Sequence, residues 1–183
     1  MSEITGPGEA DSGAAEADAF RRHHSRALVL ILIIAALVVL ADQLTKLWAT
    51  STLQEGTYSS LIGTLLGLQL TYNSGAAFSS LVDATWVFTI IAAVAVVALL
   101  WFSRRVGSRW WAVAFGLLLG GAITHLGDRL FRAPSFGQGR VVDFIAYANW
   151  FIGNVADIAI FSGALLALAL AVVRVPLRGD RRS

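Results

Sequence analysis

Residues 84–102 read ATWVFTIIAAVAVVALLWF, nineteen positions without a charge. At 1.5 Å per helical residue such a run covers about 28 Å, close to the hydrocarbon thickness of a bilayer. The composition agrees: 56% of the 183 residues are hydrophobic, 14% are charged and the mean hydropathy is +0.68, which excludes an ordinary soluble domain. Comparable runs occupy residues 27–48, 110–126 and 155–175. Arg21, Arg22, His23, His24 and Arg26 ahead of the first run give it the look of a secretory signal. The pattern continues through Asp42, Gln43 and Lys46 to Trp48 without a small-residue cleavage site, so it reads as a retained span. The expected fold is therefore membrane α-helical, with four transmembrane helices in one domain over residues 21–178. Short tails at 1–20, rich in Gly, Ala and acids and expected to be unstructured, and at 179–183 flank it.

Lys and Arg near span ends set orientation, because positive loops stay cytoplasmic. Arg21, Arg22, Arg26, Arg104, Arg105, Arg109, Arg174, Arg178, Arg181 and Arg182 fall on one side of a four-span topology, whereas Lys46, Arg129, Arg132 and Arg140 fall on the other. Both termini are expected in the cytoplasm, and residues 49–82 and 127–153 outside. In the first of these regions Gly67-Leu68-Gln69-Leu70-Thr71-Tyr72 alternates apolar and polar side chains, so a small extracytoplasmic β-sheet cradle is expected there. In the second, Pro134, Gly137 and Gly139 argue against helix, and a loop is expected.

The chain has no cysteine, which excludes disulfides and thiol nucleophiles. Its basic residues cluster at span ends, a pattern of membrane orientation and not of nucleic-acid binding. No HExxH is present, and His23 and His24 lie across the membrane from His125, so no metal site is expected.

The acids outside the spans carry the chemistry. Carboxyl groups beside a bilayer are costly when charged and tend to be functional and paired. Asp143 sits between Val141-Val142 and Phe144-Ile145, an odd setting for a solvated loop acid. Asp157 follows Asn154 by three residues, the spacing of a capping box opening the fourth span. Two carboxyls close together do not both ionise readily, so one keeps a proton and the other becomes a base, which is the arrangement that activates water for peptide hydrolysis without a metal or cofactor. Asp143 and Asp157 are the expected catalytic pair. Asp42 and Lys46, four apart on one helix face, read as an ion pair or as a lipid-phosphate contact through Lys46. Asn73 and Gly75 read as a capped turn with a place near the site, Gly120-Gly121-Ala122 as a helix-packing face, and Asp128 and Arg129 as a polar cluster available for pairing. A transporter would need acids at several depths, and the spans are nearly free of ionisable groups below the outer rim.

Taken in order, Asp42-Gln43-x-x-Lys46, Asn73-x-Gly75-Ala76-Ala77-Phe78, Gly120-Gly121-Ala122 with Asp128-Arg129, Val141-Val142-Asp143-Phe144 and Asn154-x-Ala156-Asp157 resemble the lipoprotein signal peptidase (signal peptidase II) family over residues 40–160. The resemblance implies an aspartic endopeptidase of the bacterial cytoplasmic membrane that acts at the outer face on prolipoproteins bearing a diacylglyceryl cysteine, with membrane lipids as the other partner. It also implies that Asp143 and Asp157 are catalytic and that Asp42, Lys46, Asn73, Gly75, Gly121, Asp128, Arg129, Asn154 and Ala156 support the site or touch substrate. Two departures stand out: His125 where the family commonly has Asn, and Gly153 where it commonly has Phe. His125 is expected to support the Asp128 and Arg129 region.

Overall fold

The computed structural model describes residues 7–75, 85–148 and 150–178. The terminal segments expected at 1–6 and 179–183, the Ala76-Ala77-Phe78 part of the second motif and the last part of the expected sheet region lie outside the described residues.

The elements run α1 (Pro7–Thr52), β1 (Ser59–Ile62), β2 (Leu66–Asn73), α2 (Thr85–Ser103), α3 (Arg109–Phe131), β3 (Val141–Tyr147), β4 (Phe151–Gly153) and α4 (Val155–Val172). Four of these helices are long and apolar enough to cross a membrane over Ser25–Thr52, Thr85–Ser103, Arg109–Phe131 and Val155–Val172. α1 starts well ahead of residue 27 and takes in much of the stretch expected to be unstructured; its alanines and glutamates are strong helix formers and extend the helix without an apolar face.

α3 is the packing centre, in contact with α1, α2 and α4. Small residues make this possible. A side chain at Gly120 would meet Val38 Cβ at 2.6 Å and Ala35 O at 2.9 Å on α1, and one at Gly121 would meet Ala156 O at 2.9 Å on α4. Leu32, Leu37, Leu40, Leu44, Ile90, Ile91, Val94, Val97, Leu165 and Leu168 stay exposed on the outer helix faces. In lipid that exposure costs nothing, and close backbone approach with van der Waals contact holds the helices together.

The four strands form one antiparallel sheet in the order β1-β2-β3-β4, at the bundle end where α1 and α3 finish and α4 begins. This corrects the expected loop at 127–153. α3 continues to Phe131, and residues 141–147 and 151–153 are strands that complete the sheet. β3 lies between β2 and β4 and is buried along most of its length, so VVDFIAY carries no polar alternation to reveal it. Ala49 of α1, Leu70 of β2, and Val142 and Phe144 of β3 form the apolar cluster that seats the sheet on the bundle.

Candidate active site

Asp143 and Asp157 converge because of strand register. Ile145, two residues beyond Asp143, pairs with Gly153, the last residue of β4, and Asn154 then caps α4, with Asp157 in its first turn. The expected capping box forms in full: the Asp157 amide donates to Asn154 Oδ1 at 3.1 Å, and the Asn154 amide donates to Asp157 Oδ2 at 2.9 Å. The Asn154 side chain also reaches across the site, where Nδ2 donates to Asp143 Oδ1 at 2.6 Å. One buried amide therefore grips one aspartate and sets the backbone of the other. Asn73 holds the second Asp143 oxygen, with Nδ2 donating to Oδ2 at 2.9 Å from the neighbouring strand. Its own Oδ1 accepts the Gly75 amide at 2.7 Å, and Gly75 adopts φ +86°, so the side chain that holds Asp143 also caps the expected turn.

The two carboxyls have different surroundings. Asp143 is 2% exposed, whereas the Asp157 side chain is 39% exposed. Burial pushes the Asp143 carboxyl above the usual carboxylate range. The Asp157 charge adds to that push, while the amides of Asn73 and Asn154 and the His125 ring oppose it. A group poised this way keeps its proton to higher pH than a solvated aspartate, as a general acid requires. Asp143 lines an open cleft of about 870 Å³ together with polar residues such as Thr71, Tyr72 and Asn73 and the aromatic rings of Trp150 and Phe151.

Behind the pair lies a buried ion cluster. Lys46 Nζ stands 2.7 Å from Asp42 Oδ2 and 2.7 Å from Asp128 Oδ2, and Lys46 and Asp42 are fully buried. The Asp42–Lys46 ion pair is present as the spacing suggested, and the lipid-phosphate reading of Lys46 is corrected, because its ammonium is sealed between two carboxylates. Each carboxylate holds the residue just before an aspartate of the pair. Asp42 Oδ1 accepts the Ala156 amide at 2.9 Å, and Asp128 Oδ2 accepts the Val142 amide at 3.4 Å. Low dielectric strengthens such a satisfied network, and the cluster ties β3 to α4 at the two points that matter.

Asp128 and Arg129 do not pair with each other. Asp128 Oδ1 takes Arg132 Nε at 2.7 Å and Gln43 Nε2 at 3.2 Å, while Arg129 Nη1 donates to Ser74 O at 3.3 Å with its guanidinium over Phe88. His125 bonds a different partner from the expected one: its Nε2 lies 3.0 Å from Asp157 Oδ1, and the ring does not bond Asp128 or Arg129. Helical phase explains both: residues three apart, such as 125 and 128, still differ by about 60° around the axis, enough for them to meet different neighbours. Sequence reasoning missed Arg132 and Gln43. The four-residue spacing of Asp128 and Arg132 was a usable signal, but nothing local marks Gln43 as the amide joining them. Among the described residues, no three His, Asp or Glu side chains converge as a metal ion would need.

A family model described as signal peptidase (SPase) II matches residues 34–173. A protein of Rhodococcus jostii named lipoprotein signal peptidase is 41% identical over 159 residues, covering 87% of this chain and 80% of that protein. Proteins of the same name from Mycolicibacterium smegmatis and Mycobacterium leprae are 42% and 44% identical, covering 91% and 80% of this chain and 67% and 73% of their own lengths. Two solved structures described as bacterial membrane enzymes superpose with TM-scores of 0.69 and 0.64 at 29% and 25% identity. They cover 78% and 84% of this chain and 92% and 93% of their own.

Proposed function

The chain belongs to the signal peptidase II family of aspartic peptidases, and from that membership we propose that it removes signal peptides from diacylglyceryl-modified prolipoproteins, cutting just before the lipidated cysteine. The observation that carries the reading is the Asn154 bridge, which brings two carboxyls of unlike surroundings into one site beside an open cleft. In this mechanism the ionised carboxylate takes a proton from water, whose oxygen attacks the scissile carbonyl carbon. The protonated carboxyl gives its proton to the carbonyl oxygen; the proton taken from water then passes to the amide nitrogen as the C–N bond breaks, and the hydroxyl proton returns to the second carboxylate as the new carbonyl forms. No metal or cofactor takes part in these steps.

The proposal places both termini in the cytoplasm and the sheet, cleft and aspartates at the extracytoplasmic face of a bacterial cytoplasmic membrane. The asymmetry of Lys and Arg between the two bundle ends supports that orientation. A lipid-modified substrate would enter sideways from the bilayer, with its acyl chains against the apolar helix faces and its backbone in the cleft. The test is cleavage of a diacylglyceryl-modified prolipoprotein in vesicles by the parent, Asp143→Asn and Asp157→Asn at matched levels with chelator present. The expected result is cutting by the parent and loss of about a hundredfold or more in each variant. Near-parental activity in either variant removes that aspartate from the mechanism, and an inactive parent overturns the function.

A further inference from the structure

His125 stands on α3, which approaches the first turn of α4, and its Nε2 lies 3.0 Å from Asp157 Oδ1 with the ring 20% exposed. Among the described residues, that bond is the one side-chain hydrogen bond to Asp157 Oδ1; Oδ2 is held by the Asn154 backbone amide. Without His125 the half-exposed carboxylate is fixed along one edge only. A hydrogen bond from a ring nitrogen to a carboxylate is charge-assisted and stronger than one between neutral groups.

We propose that His125 is a positioning residue for the second aspartate, its ring nitrogen fixing the edge of the Asp157 carboxylate that the Asn154 backbone amide leaves unheld. The inference rests on the two-aspartate function proposed above and goes beyond it by assigning a positioning partner to one member of the pair. The charged and titratable groups around this contact come from each packed element. α4 supplies Asp157 itself, β3 supplies Asp143 and Tyr147, α1 supplies Lys46 beside Asp42, and α3 adds Asp128 and Arg129 one turn on. α2 carries no ionisable side chain over Thr85–Ser103. Lys46 is locked between Asp42 and Asp128, and Arg129 is turned to Ser74 and Phe88. Of these neighbours, His125 alone bonds the Asp157 side chain directly from another helix.

The test compares the parent, His125→Asn and His125→Ala in vesicles, with kcat and KM measured separately. An amide at 125 keeps a hydrogen-bond donor on the same helix face, so the Asn variant is expected to hold kcat within about threefold of the parent. The Ala variant is expected to lose about tenfold in kcat with KM little changed. A parental Ala variant, an Asn variant no better than Ala, or a loss confined to KM overturns the proposal. A second readout is independent of turnover: the ring nitrogen signals of His125, assigned by their absence in His125→Asn, are compared between the parent and Asp157→Asn. Loss of the downfield position given by a carboxylate partner supports the contact, and unchanged signals overturn it. If the parent does not cut, the function reading fails while the ring signals still decide the His125–Asp157 pairing.

Discussion

Asn154 does two separable jobs with one side chain. Its Oδ1 caps α4, and its Nδ2 holds Asp143. Asn154→Ala removes both, and a lost cap costs about 1 kcal/mol. Asn154→Ser keeps a cap acceptor but is too short to keep the long-range bond to Asp143. The expected outcome is an Ala variant that melts lower and cuts poorly, and a Ser variant that melts near the parent yet cuts as poorly as Ala. Equal activity of parent and Ser variant would remove the bridge from the mechanism. Asp143 carries a pH signature of its own. Its folded titration stands above its unfolded one, mainly through burial. Its contribution to stability is therefore full below the ordinary carboxyl range and is lost as pH rises through the folded value. Asp143→Asn removes that dependence. The melting temperature of the variant minus that of the parent is expected to rise from about pH 4 to about pH 7, whatever the offset at the acid end. A flat difference contradicts the assignment.

At the scale of elements, α3 presents adjacent glycines to different partners. Gly120 faces α1 at Val38 and Ala35, and Gly121 faces α4 at Ala156 and Ile160. An added methyl at either position meets backbone or Cβ atoms below 3.0 Å, so the facing helix has to move. Each Ala variant is expected to lose about 1–3 kcal/mol of stability, read as a lower melting temperature in detergent. Their catalytic effects should differ. Gly121→Ala displaces the turn of α4 that contains Ala156 and Asp157, whereas Gly120→Ala displaces α1 at Ala35 and Val38, about one to two turns before Asp42. A fall in kcat for Gly121→Ala, larger than for Gly120→Ala at equal destabilisation, is the expected result. Equal falls would mean that the first turn of α4 adjusts independently of this contact.

For the whole molecule, the absence of cysteine makes topology directly measurable. Trp150, 88% exposed between β3 and β4, and Arg105, exposed in the turn after α2, lie at opposite ends of the bundle. With a membrane-impermeant maleimide on intact cells, Trp150→Cys is expected to label at once and Arg105→Cys only after permeabilisation. The reverse pattern would turn the protein over and put the cleft on the cytoplasmic side. The bundle depends on lipid for its outer surface, while the sheet end is held by a conventional apolar cluster and the Asp42–Lys46–Asp128 network.

The sequence by itself determined what depends on local composition and spacing. Four apolar runs define the spans, because a helix satisfies its backbone within itself and lipid demands uninterrupted apolar side chains. The Asn154–Asp157 cap was legible for the same reason: both partners sit within one turn. β2 was legible from its apolar–polar alternation, although its burial does not keep that period: the buried positions, Gly67 and Leu70, are three apart, and the pairing shifts register between Leu68 and Thr71. Only the tertiary structure decided the rest. β3 joins the sheet by pairing with β2, far back in the chain, and carries its local hairpin partner β4 with it, and a strand buried on both faces leaves no period to read. Asp128 turned to Lys46, Arg132 and Val142 and away from Arg129, and His125 turned to Asp157. Side-chain direction around a helix acquires meaning only when the neighbouring elements are in place, and which elements become neighbours is a property of packing that no local window contains.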